Sequence, residues 1–449
     1  MSAVAAKNEI LRNEQKWGEK DLFSRRIFNS IMKEGSLKGG GGHKRKRTPS
    51  KKKNDHFNKK DLEKDHTNHF VVHIDRKNGW NNLIKAYKPT LKKLLNHRDI
   101  RPHLEYIDTL KKNPNFEHVI KTLENTLLKW IAYDSIMYAQ LKNIAKILEI
   151  DILKIFLLQL MYEANTLCTS VVIQTNTGKI AHGRTMDWPM PVLEKLSVPI
   201  SLYCNGERIG SSMQWLGCVG MFTLMRDNSY SITINYRKFN DRDALKDAES
   251  IIRKRLNWMD YLVRGTNWLL GYGDADIIQT IRSYGMTDDS ILFFSKIIKL
   301  VDGARRATPV TFLMRQILME ETSYEGALKR LKETPIFSQI YFTIAGTGSN
   351  QGEIIARSTR EVDRTKKLSP MVSFIVQPNM DWWDRNALDV MYSKTRIQVM
   401  NHILKNNCTV GTLWKTMKKG GNREICNDIT VYSTLFVPSD SRFEYTVGH

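Results

Sequence analysis

The sequence has no apolar run approaching the roughly 20 residues that a membrane-spanning helix requires. Its mean hydropathy is -0.41, and the most apolar stretch, residues 150–161, is interrupted by Asp151 and Lys154. This stretch is therefore predicted to be a buried helix. Residues 1–30 are polar and charged, with no apolar segment of the kind that a secretory signal contains. We expect no transmembrane span.

Cysteine is scarce. The five cysteines are an odd number and show no CxxC spacing; they are Cys168, Cys204, Cys218, Cys408 and Cys426. This pattern predicts neither a complete disulfide framework nor a zinc site, and we expect no metal or cofactor. The lack of a secretory signal and of paired cysteines favours a reducing compartment, cytoplasmic or nuclear, provided that this N-terminus is the native one.

Acidic residues are outnumbered, 47 against 69 lysines and arginines, which gives a formal net charge of +22. Much of the excess lies in residues 1–60, where a basic run at 44–53 follows a run of glycines. Such a run can be a nuclear address, a nucleic-acid or phosphate contact, an anionic-membrane contact, or only a solvated tail, and composition does not separate these alternatives. We interpret residues 1–66 as a disordered basic tail.

The remaining chain changes character once, at Cys168. A β-type run at 70–74 precedes mostly helical patterns, so residues 67–167 are predicted to be a helical N-terminal fragment. Paired strands with helices between them then favour an α+β sandwich over a doubly wound sheet. The predicted strands lie at 168–174, 180–184, 231–235, 340–345, 353–356, 372–376 and 429–436, and the predicted helices at 246–270, 288–302, 308–332 and 386–404.

Residues 168–184 have the pattern of a β-hairpin, in which a turn containing Gly178 joins two strand-like runs. If the loop centres near Asn176 and Thr177, paired residue numbers add up to about 353. Cys168 is then predicted to lie opposite a residue near position 185.

In this register Arg184 and Asp187 flank Cys168. A guanidinium next to a thiol favours the thiolate, because the opposite charge stabilises the ionised form. Asp187 can orient Arg184 through paired hydrogen bonds. The spacing alone favours a different interpretation, a buried core cysteine beside a surface ion pair, because free cysteine is often buried.

The sequence around the cysteine carries two motifs, Cys-Thr-Ser at 168–170 and His-Gly-Arg-x-x-Asp at 182–187. With this spacing they resemble the acid ceramidase and N-acylethanolamine acid amidase family. Further similar segments lie at 74–80, 219–223, 231–235, 322–327, 341–346, 376–383 and 430–435. The resemblance covers residues 70–445 and is interrupted by an insertion near 240–305.

The resemblance implies an N-terminal-nucleophile (Ntn) hydrolase with an αββα four-layer sandwich and a precursor that cleaves itself between Leu167 and Cys168. The freed α-amino group then has a pKa low enough to serve as the base for its own thiol. Residues 168–449 are expected to form the catalytic fragment, associated with the N-terminal fragment after cleavage. The implied reaction is hydrolysis of an N-acyl lipid, a ceramide or an N-acylethanolamine, and the family implies a lysosomal setting.

The resemblance also assigns roles to individual residues. Cys168 matches the nucleophile, and Arg184 and Asp187 match the pair that positions it. Asn379 matches an asparagine whose side-chain amide donates to the developing oxyanion. Arg396 is matched to the arginine of the following segment, although its offset from Asn379 is longer than in the family pattern.

Two departures from the family pattern keep an alternative open. Tyr236 replaces the family's glutamate within Asn-Tyr-Arg at 235–237, which can change the substrate or pH preference or weaken catalysis. The family's disulfide between the two fragments has no counterpart, since no cysteine precedes Cys168 or lies near Arg396. The alternative is a catalytically impaired family member that acts as a lipid- or nucleic-acid-binding scaffold. The helical segment before Cys168 argues against a penicillin- or bile-salt-type acylase.

Overall fold

The structure is a computed structural model, and it describes residues 62–98, 100–112, 121, 124, 134–164, 167–237, 249–250, 307–384, 387 and 389–448. The chain divides into two compact units, Met1–Asp55 and His56–His449, and all the described residues belong to the second unit. The predicted tail up to residue 61 lies outside the described residues. The insertion near 240–305, with its two predicted helices, also lies outside them apart from residues 249–250.

Within the described residues the helices are α1 (Asn81–Leu95), α2 (Arg101–Lys112), α3 (Ser135–Leu148), α4 (Ile152–Ala164), α5 (Pro191–Glu194), α6 (Val310–Glu320), α7 (Tyr324–Glu333), α8 (Ser393–Asn406) and α9 (Val410–Met417). The strands are β1 (Phe70–His73), β2 (Leu167–Gln174), β3 (Ile180–Asp187), β4 (Ser197–Cys204), β5 (Glu207–Trp215), β6 (Thr223–Arg226), β7 (Tyr230–Tyr236), β8 (Ile340–Ala345), β9 (Gly352–Arg357), β10 (Val362–Lys367), β11 (Phe374–Gln377), β12 (Thr430–Val437) and β13 (Arg442–Val447). None of the described helices is long and apolar enough to cross a membrane.

Several helices begin at a polar residue whose side chain caps the first turn. The Asp134 carboxylate accepts from the Met137 amide before α3, and the Ser323 hydroxyl accepts from the Gly326 amide before α7. Thr409 caps α9 in the same way. Each cap satisfies a backbone donor that the helix itself leaves unpaired, which fixes where the helix starts.

The strands form two sheets. The first sheet has the strand order β1-β4-β5-β6-β7-β8-β9-β10, and the second has the order β11-β2-β3-β12-β13. All neighbouring pairs are antiparallel except β1 and β4, which run parallel with Phe70 opposite Ile200. The predicted N-terminal fragment therefore contributes an edge strand to the first sheet in addition to its helices.

The two sheets pack face to face and helices cover their outer faces. Helices α4, α6 and α7 contact the first sheet, whereas α8 and α9 contact the second. Strand β2 shows the resulting division, because Val171 and Ile173 pack toward α8 and α9 while Ser170 points between the sheets. The four αββα layers confirm the predicted α+β fold class.

The predicted strands at 231–235, 340–345, 353–356 and 429–436 are confirmed within one residue at each end. Strands β4, β5, β6, β10 and β13 have no counterpart among the predicted strands. Strand β10, with the sequence VDRTKK, is largely exposed at the edge of its sheet. An edge strand of this kind lacks the alternation of apolar and polar residues that a sequence pattern detects.

Candidate active site

Cys168 lies in the β2–β3 hairpin, and the turn sets its partner. Gln174 pairs with Ile180, and Gly178 in the loop takes a φ of +79°, a backbone conformation that glycine adopts without steric cost. Cys168 consequently pairs with Met186, one residue beyond the predicted position near 185.

This one-residue difference decides which side chains share a face with the cysteine. Cys168 and Arg184 both point between the sheets, because side chains alternate along a strand and their partners are Met186 and Ser170. Asp187 pairs with Leu167 and therefore points toward the opposite face.

Arg184 is fully buried and contacts the thiol of Cys168 directly. Its Nη2 atom lies 3.1 Å from the Cys168 Sγ atom and 3.5 Å from the Met186 Sδ atom. Its Nη1 atom donates to the Phe222 carbonyl at 2.5 Å and to the Thr223 hydroxyl. The guanidinium is therefore held between backbone and hydroxyl acceptors on one side and two sulfur atoms on the other.

Asp187 contacts a different arginine from the one predicted. Its carboxylate accepts from the Thr430 hydroxyl at 2.7 Å and lies 3.7 Å from Arg396 Nη1. Burial raises the pKa of Asp187 to about 6, although Arg396, Thr430 and Arg184 act to lower it. The prediction that Asp187 orients Arg184 by paired hydrogen bonds is corrected, because the two residues lie three positions apart on β3 and therefore point to opposite faces.

Asn379 follows β11 and holds the backbone of Cys168. Its Oδ1 atom accepts from the Cys168 amide at 2.7 Å, and its Nδ2 atom donates to the Tyr236 carbonyl at 2.9 Å. The side chain is buried, and both ends of its amide are used. The orientation of the amide is thus defined by two backbone groups.

Arg396 lies on α8 and joins these residues, despite its unusual offset in the sequence. Its Nη1 atom donates to the Cys168 carbonyl at 2.8 Å and to the Thr169 hydroxyl at 2.9 Å. Its Nη2 atom lies 3.3 Å from Asn379 Oδ1. Burial lowers the pKa of Arg396, and Asp187 opposes this effect. The structure therefore brings together all five predicted site residues.

Buried hydroxyl and amide groups that the sequence analysis missed surround the predicted residues. Ser170 Oγ lies 2.8 Å from Thr233 Oγ1 and donates to Asn235 Oδ1 at 2.7 Å. His182 continues this network, with Nε2 3.0 Å from Thr233 Oγ1 and Nδ1 3.0 Å from Ser231 Oγ. Burial, with a smaller effect of Arg184, lowers the pKa of His182 to about 3, so its imidazole is neutral near pH 7.

An apolar pocket lies next to Arg184. It includes Phe222, whose carbonyl accepts from Arg184. The pocket is lined by Leu91, Leu94, Leu95, Leu148, Leu158, Leu193, Trp215, Leu216, Gly217, Cys218 and Phe222. Most of these side chains come from the helices of the predicted N-terminal fragment and from the segment after β5.

The side chains that could bind a metal ion are those of cysteine, histidine, aspartate and glutamate. All five cysteines are free thiols. Across the part of the chain that the structure describes, no group of three or more His, Cys, Asp or Glu side chains is placed to hold a metal ion. At Cys168 the thiol, the amide nitrogen and the carbonyl each contact a separate side chain, those of Arg184, Asn379 and Arg396.

Comparison with known proteins agrees with this chemistry. A model of the family described as linear amide C–N hydrolases, choloylglycine hydrolase family, matches residues 168–240, and the match begins at Cys168. Acid ceramidase from Mus musculus is 23% identical over 322 residues, which are 68% of this chain and 68% of that protein. N-acylethanolamine-hydrolyzing acid amidase from Oryctolagus cuniculus is 23% identical over 300 residues, 66% of this chain and 68% of that protein.

Two further proteins extend the comparison. Acid ceramidase from Homo sapiens is 22% identical over 382 residues, which are 77% of this chain and 83% of that protein. Among solved structures, the Caenorhabditis elegans N-acylethanolamine-hydrolyzing acid amidase ortholog is similar with 22% identity and a TM-score of 0.41, over 61% of this chain and 93% of that chain.

Proposed function

We propose that this chain, a member of the acid ceramidase and N-acylethanolamine acid amidase family of amide hydrolases, cleaves itself before Cys168 and then hydrolyses the amide bond of an N-acyl lipid. The products are a fatty acid and either a sphingoid base, from a ceramide, or ethanolamine, from an N-acylethanolamine. The observation that carries the proposal is the contact of Arg184 Nη2 with Cys168 Sγ at 3.1 Å, since it supplies an activated thiol at the residue where the family match begins.

Self-cleavage begins in the uncut chain, where Leu167 and Cys168 are consecutive residues of β2. The Cys168 sulfur attacks the Leu167 carbonyl carbon, a thioester forms, and the C–N bond breaks as the nitrogen takes a proton. Water then hydrolyses the thioester, leaving a carboxylate on Leu167 and a free thiol on Cys168. Arg184 accelerates this step because its charge favours the thiolate over the thiol.

Hydrolysis of the lipid amide uses the same sulfur with a new base. The freed α-amino group of Cys168 has an ordinary pKa of roughly 7.7–8.0, so it can take the thiol proton and pass it to the leaving amine. The thiolate attacks the amide carbonyl, the amine departs, and an acyl-enzyme remains. Water then releases the fatty acid and restores the thiol.

In this mechanism Asn379 and Arg396 hold the backbone amide and carbonyl of Cys168. Asn379 Oδ1, which accepts from the Cys168 amide at 2.7 Å, is placed to accept from the α-amino group after cleavage and so to direct its lone pair. Asn379 Nδ2 donates to the Tyr236 carbonyl, and a side-chain amide at this position is the kind of donor that stabilises a developing oxyanion. Arg396 holds the Cys168 carbonyl, and Asp187 lies beside Arg396.

The substrate class is supported by the relatives, since acid ceramidase from Mus musculus and N-acylethanolamine-hydrolyzing acid amidase from Oryctolagus cuniculus are each 23% identical to this chain.

The two fragments are proposed to remain associated without a disulfide. Pairing of β1 with β4 joins residues on either side of the cleavage point. Arg315 Nη1 donates to Gln140 Oε1 at 2.7 Å, and Gln159 Oε1 accepts from the Val219 amide at 2.7 Å. All of these bonds lie in a buried interface that cleavage at Cys168 leaves intact.

The test is the intact mass of the purified protein at neutral and acidic pH, with N-terminal sequencing of the products. We expect fragments 1–167 and 168–449, the larger beginning Cys-Thr-Ser-Val-Val. The Cys168→Ala variant should remain a single chain and should release no fatty acid from ceramide or N-acylethanolamine. Cys408→Ala removes a half-buried thiol on the edge of the second sheet and serves as the matched control.

Two results would contradict the proposal in different ways. A wild-type protein that stays uncut yet hydrolyses lipid amides would exclude the α-amino group as the base. A folded protein that stays uncut and inactive at every pH, also with a lipid-containing extract of the source organism, would instead support the catalytically impaired scaffold.

A further inference from the structure

The position of Arg184 against the Cys168 sulfur depends on what holds the other half of its guanidinium. A guanidinium has five N–H donors in one rigid plane, so fixing one nitrogen constrains the direction of the others. Here Nη2 faces Cys168, and Nη1 donates to the Phe222 carbonyl and the Thr223 hydroxyl. These two acceptors therefore set the orientation of the group that contacts the thiol.

Thr223 is itself held firmly at the start of β6. Its carbonyl accepts from the Ser212 hydroxyl at 2.7 Å, which ties its backbone to β5. Its side chain is fully buried, and its Oγ1 atom lies 2.9 Å from the Tyr432 hydroxyl. The Thr223 hydroxyl thus joins Arg184 on one side to Tyr432 on the other.

Tyr432 reaches this point from the opposite sheet. In β12 it pairs with Met186, which also pairs with Cys168, so the three residues form one row across neighbouring strands. The tyrosine is fully buried, and burial raises its pKa to about 12, which keeps the phenol protonated. A buried hydroxyl needs a hydrogen-bond partner, and Thr223 Oγ1 supplies it across the gap between the sheets.

We infer that Thr223 and Tyr432 are positioning residues that hold Arg184 against the Cys168 sulfur, an inference that rests on the proposed function. Neither residue contacts the sulfur in the described bonds. Both act through Arg184, because loss of the Thr223 acceptor or of its Tyr432 partner leaves Nη1 held by the Phe222 carbonyl alone, and the guanidinium is then less firmly oriented. The neutral bond between Thr223 and Tyr432 is worth about a 3- to 10-fold change in an equilibrium, and the thiolate fraction should fall by a factor of that order.

The experiment compares Tyr432→Phe, Thr223→Val and Thr223→Ser in the full chain. The first readout is the ultraviolet absorbance of the thiolate as a function of pH, taken as the difference between each protein and its own Cys168→Ala counterpart. The second readout is the pH profile of self-cleavage and of kcat/KM. We expect the thiolate midpoint and the acidic limb of both profiles to move to higher pH in Tyr432→Phe and Thr223→Val, with wild-type behaviour in Thr223→Ser.

Tyr230→Phe is the matched control. Tyr230 is also fully buried in a strand, and its hydroxyl donates to the Ile317 and Glu321 carbonyls at 2.9 Å, away from Arg184. If Tyr432→Phe and Tyr230→Phe lose stability alike and leave the thiolate midpoint unchanged, the positioning role is overturned. The absorbance titration does not require activity, so a failure of the proposed function, seen as an uncut and inactive wild-type protein, is distinguished from a failure of this inference.

Discussion

Arg184 Nη2 lies 3.1 Å from Cys168 Sγ, across two adjacent strands of a single hairpin. The two residues are diagonal neighbours in the register, and 15 residues of chain between them include the whole turn. The hairpin brings the thiol and the guanidinium together, because the two residues are local in sequence. The rest of the fold contributes the groups that hold the other guanidinium nitrogen and the Cys168 backbone.

Replacement of Arg184 should slow self-cleavage and lipid hydrolysis together. Arg184→Ala removes the charge beside the thiol, and a neighbouring opposite charge is worth about 1–3 pH units, so we expect a loss of about 100-fold in both rates. Arg184→Lys keeps the charge but cannot bridge Phe222 and Cys168, and should be intermediate. Time courses of fragment appearance and fatty-acid release measure the two effects.

Arg357 provides the control for this substitution. It is also buried, and its guanidinium donates to backbone carbonyls, including that of Thr334 at 3.0 Å. Arg357→Lys should lower the free energy of unfolding. The rates of self-cleavage and lipid hydrolysis, each divided by the fraction of folded protein, should not change. Wild-type processing of a folded Arg184→Ala protein would show that the charge is not needed.

Tyr236→Glu should change the site without abolishing it, because it restores the carboxylate that the related family carries at this position. The Tyr236 carbonyl already accepts from Asn379 Nδ2, so the residue adjoins the group that holds Cys168. We expect a higher turnover or a displaced pH optimum on ceramide or N-acylethanolamine. An unchanged rate and pH profile on both substrates would place the Tyr236 side chain outside the site.

Removal of the basic tail should leave both reactions intact, but the deletion must end before residue 62. Leu62 is part of the main core, and the carboxylate of Asp65 accepts from the His69 amide and lies 3.6 Å from Arg208 Nε. Deleting residues 1–55 should therefore preserve the melting temperature and activity, whereas deleting 1–66 should lower the melting temperature. Loss of both reactions in a folded 1–55 deletion would mean that the tail takes part in catalysis.

His182 should make the protein less stable in acid. Its pKa is lowered to about 3 by burial and by Arg184, against about 6.5 in an unfolded chain, so the unfolded state binds more protons between these values. Its stabilising contribution is complete above pH 6.5 and is lost as the pH falls toward 3. His182→Gln should reduce this acid loss, by on the order of 5 kcal/mol in the free energy of unfolding. Denaturant unfolding across this pH range measures it, with exposed His402→Gln as control.

Asp187 should act in the opposite direction over part of the same range. Burial raises its pKa to about 6, so its contribution to stability is complete below its unfolded pKa of about 3.9 and is lost as the pH rises through 6. Asp187→Asn should remove this loss and flatten the stability curve between pH 4 and 6. An unchanged slope in this interval would argue against the raised pKa.

Local patterns in the sequence were sufficient to predict the β2–β3 hairpin and several other strands. The turn around Gly178 and the alternation on either side of it predicted that Arg184 lies beside Cys168, and the structure places them in contact. The four-layer fold class was also predicted, from paired strands separated by helices and from the resemblance. These features depend on neighbours within a few residues or on motifs with a fixed spacing, and both can be recognised in the sequence alone.

The tertiary structure decided which groups share a face and which distant residues meet. A shift of one residue in the register placed Arg184, and not Asp187, on the same face as Cys168, because the side chains of a strand alternate between its two faces. Asp187 lies beside Arg396 on the opposite face. The contact of Arg396 with the Cys168 carbonyl and the meeting of Thr223 with Tyr432 join segments that lie far apart in the chain. The positions of serine, threonine and tyrosine in buried strands follow no sequence pattern that predicts their hydrogen-bond partners. Only the packing of one sheet on the other identifies these partners.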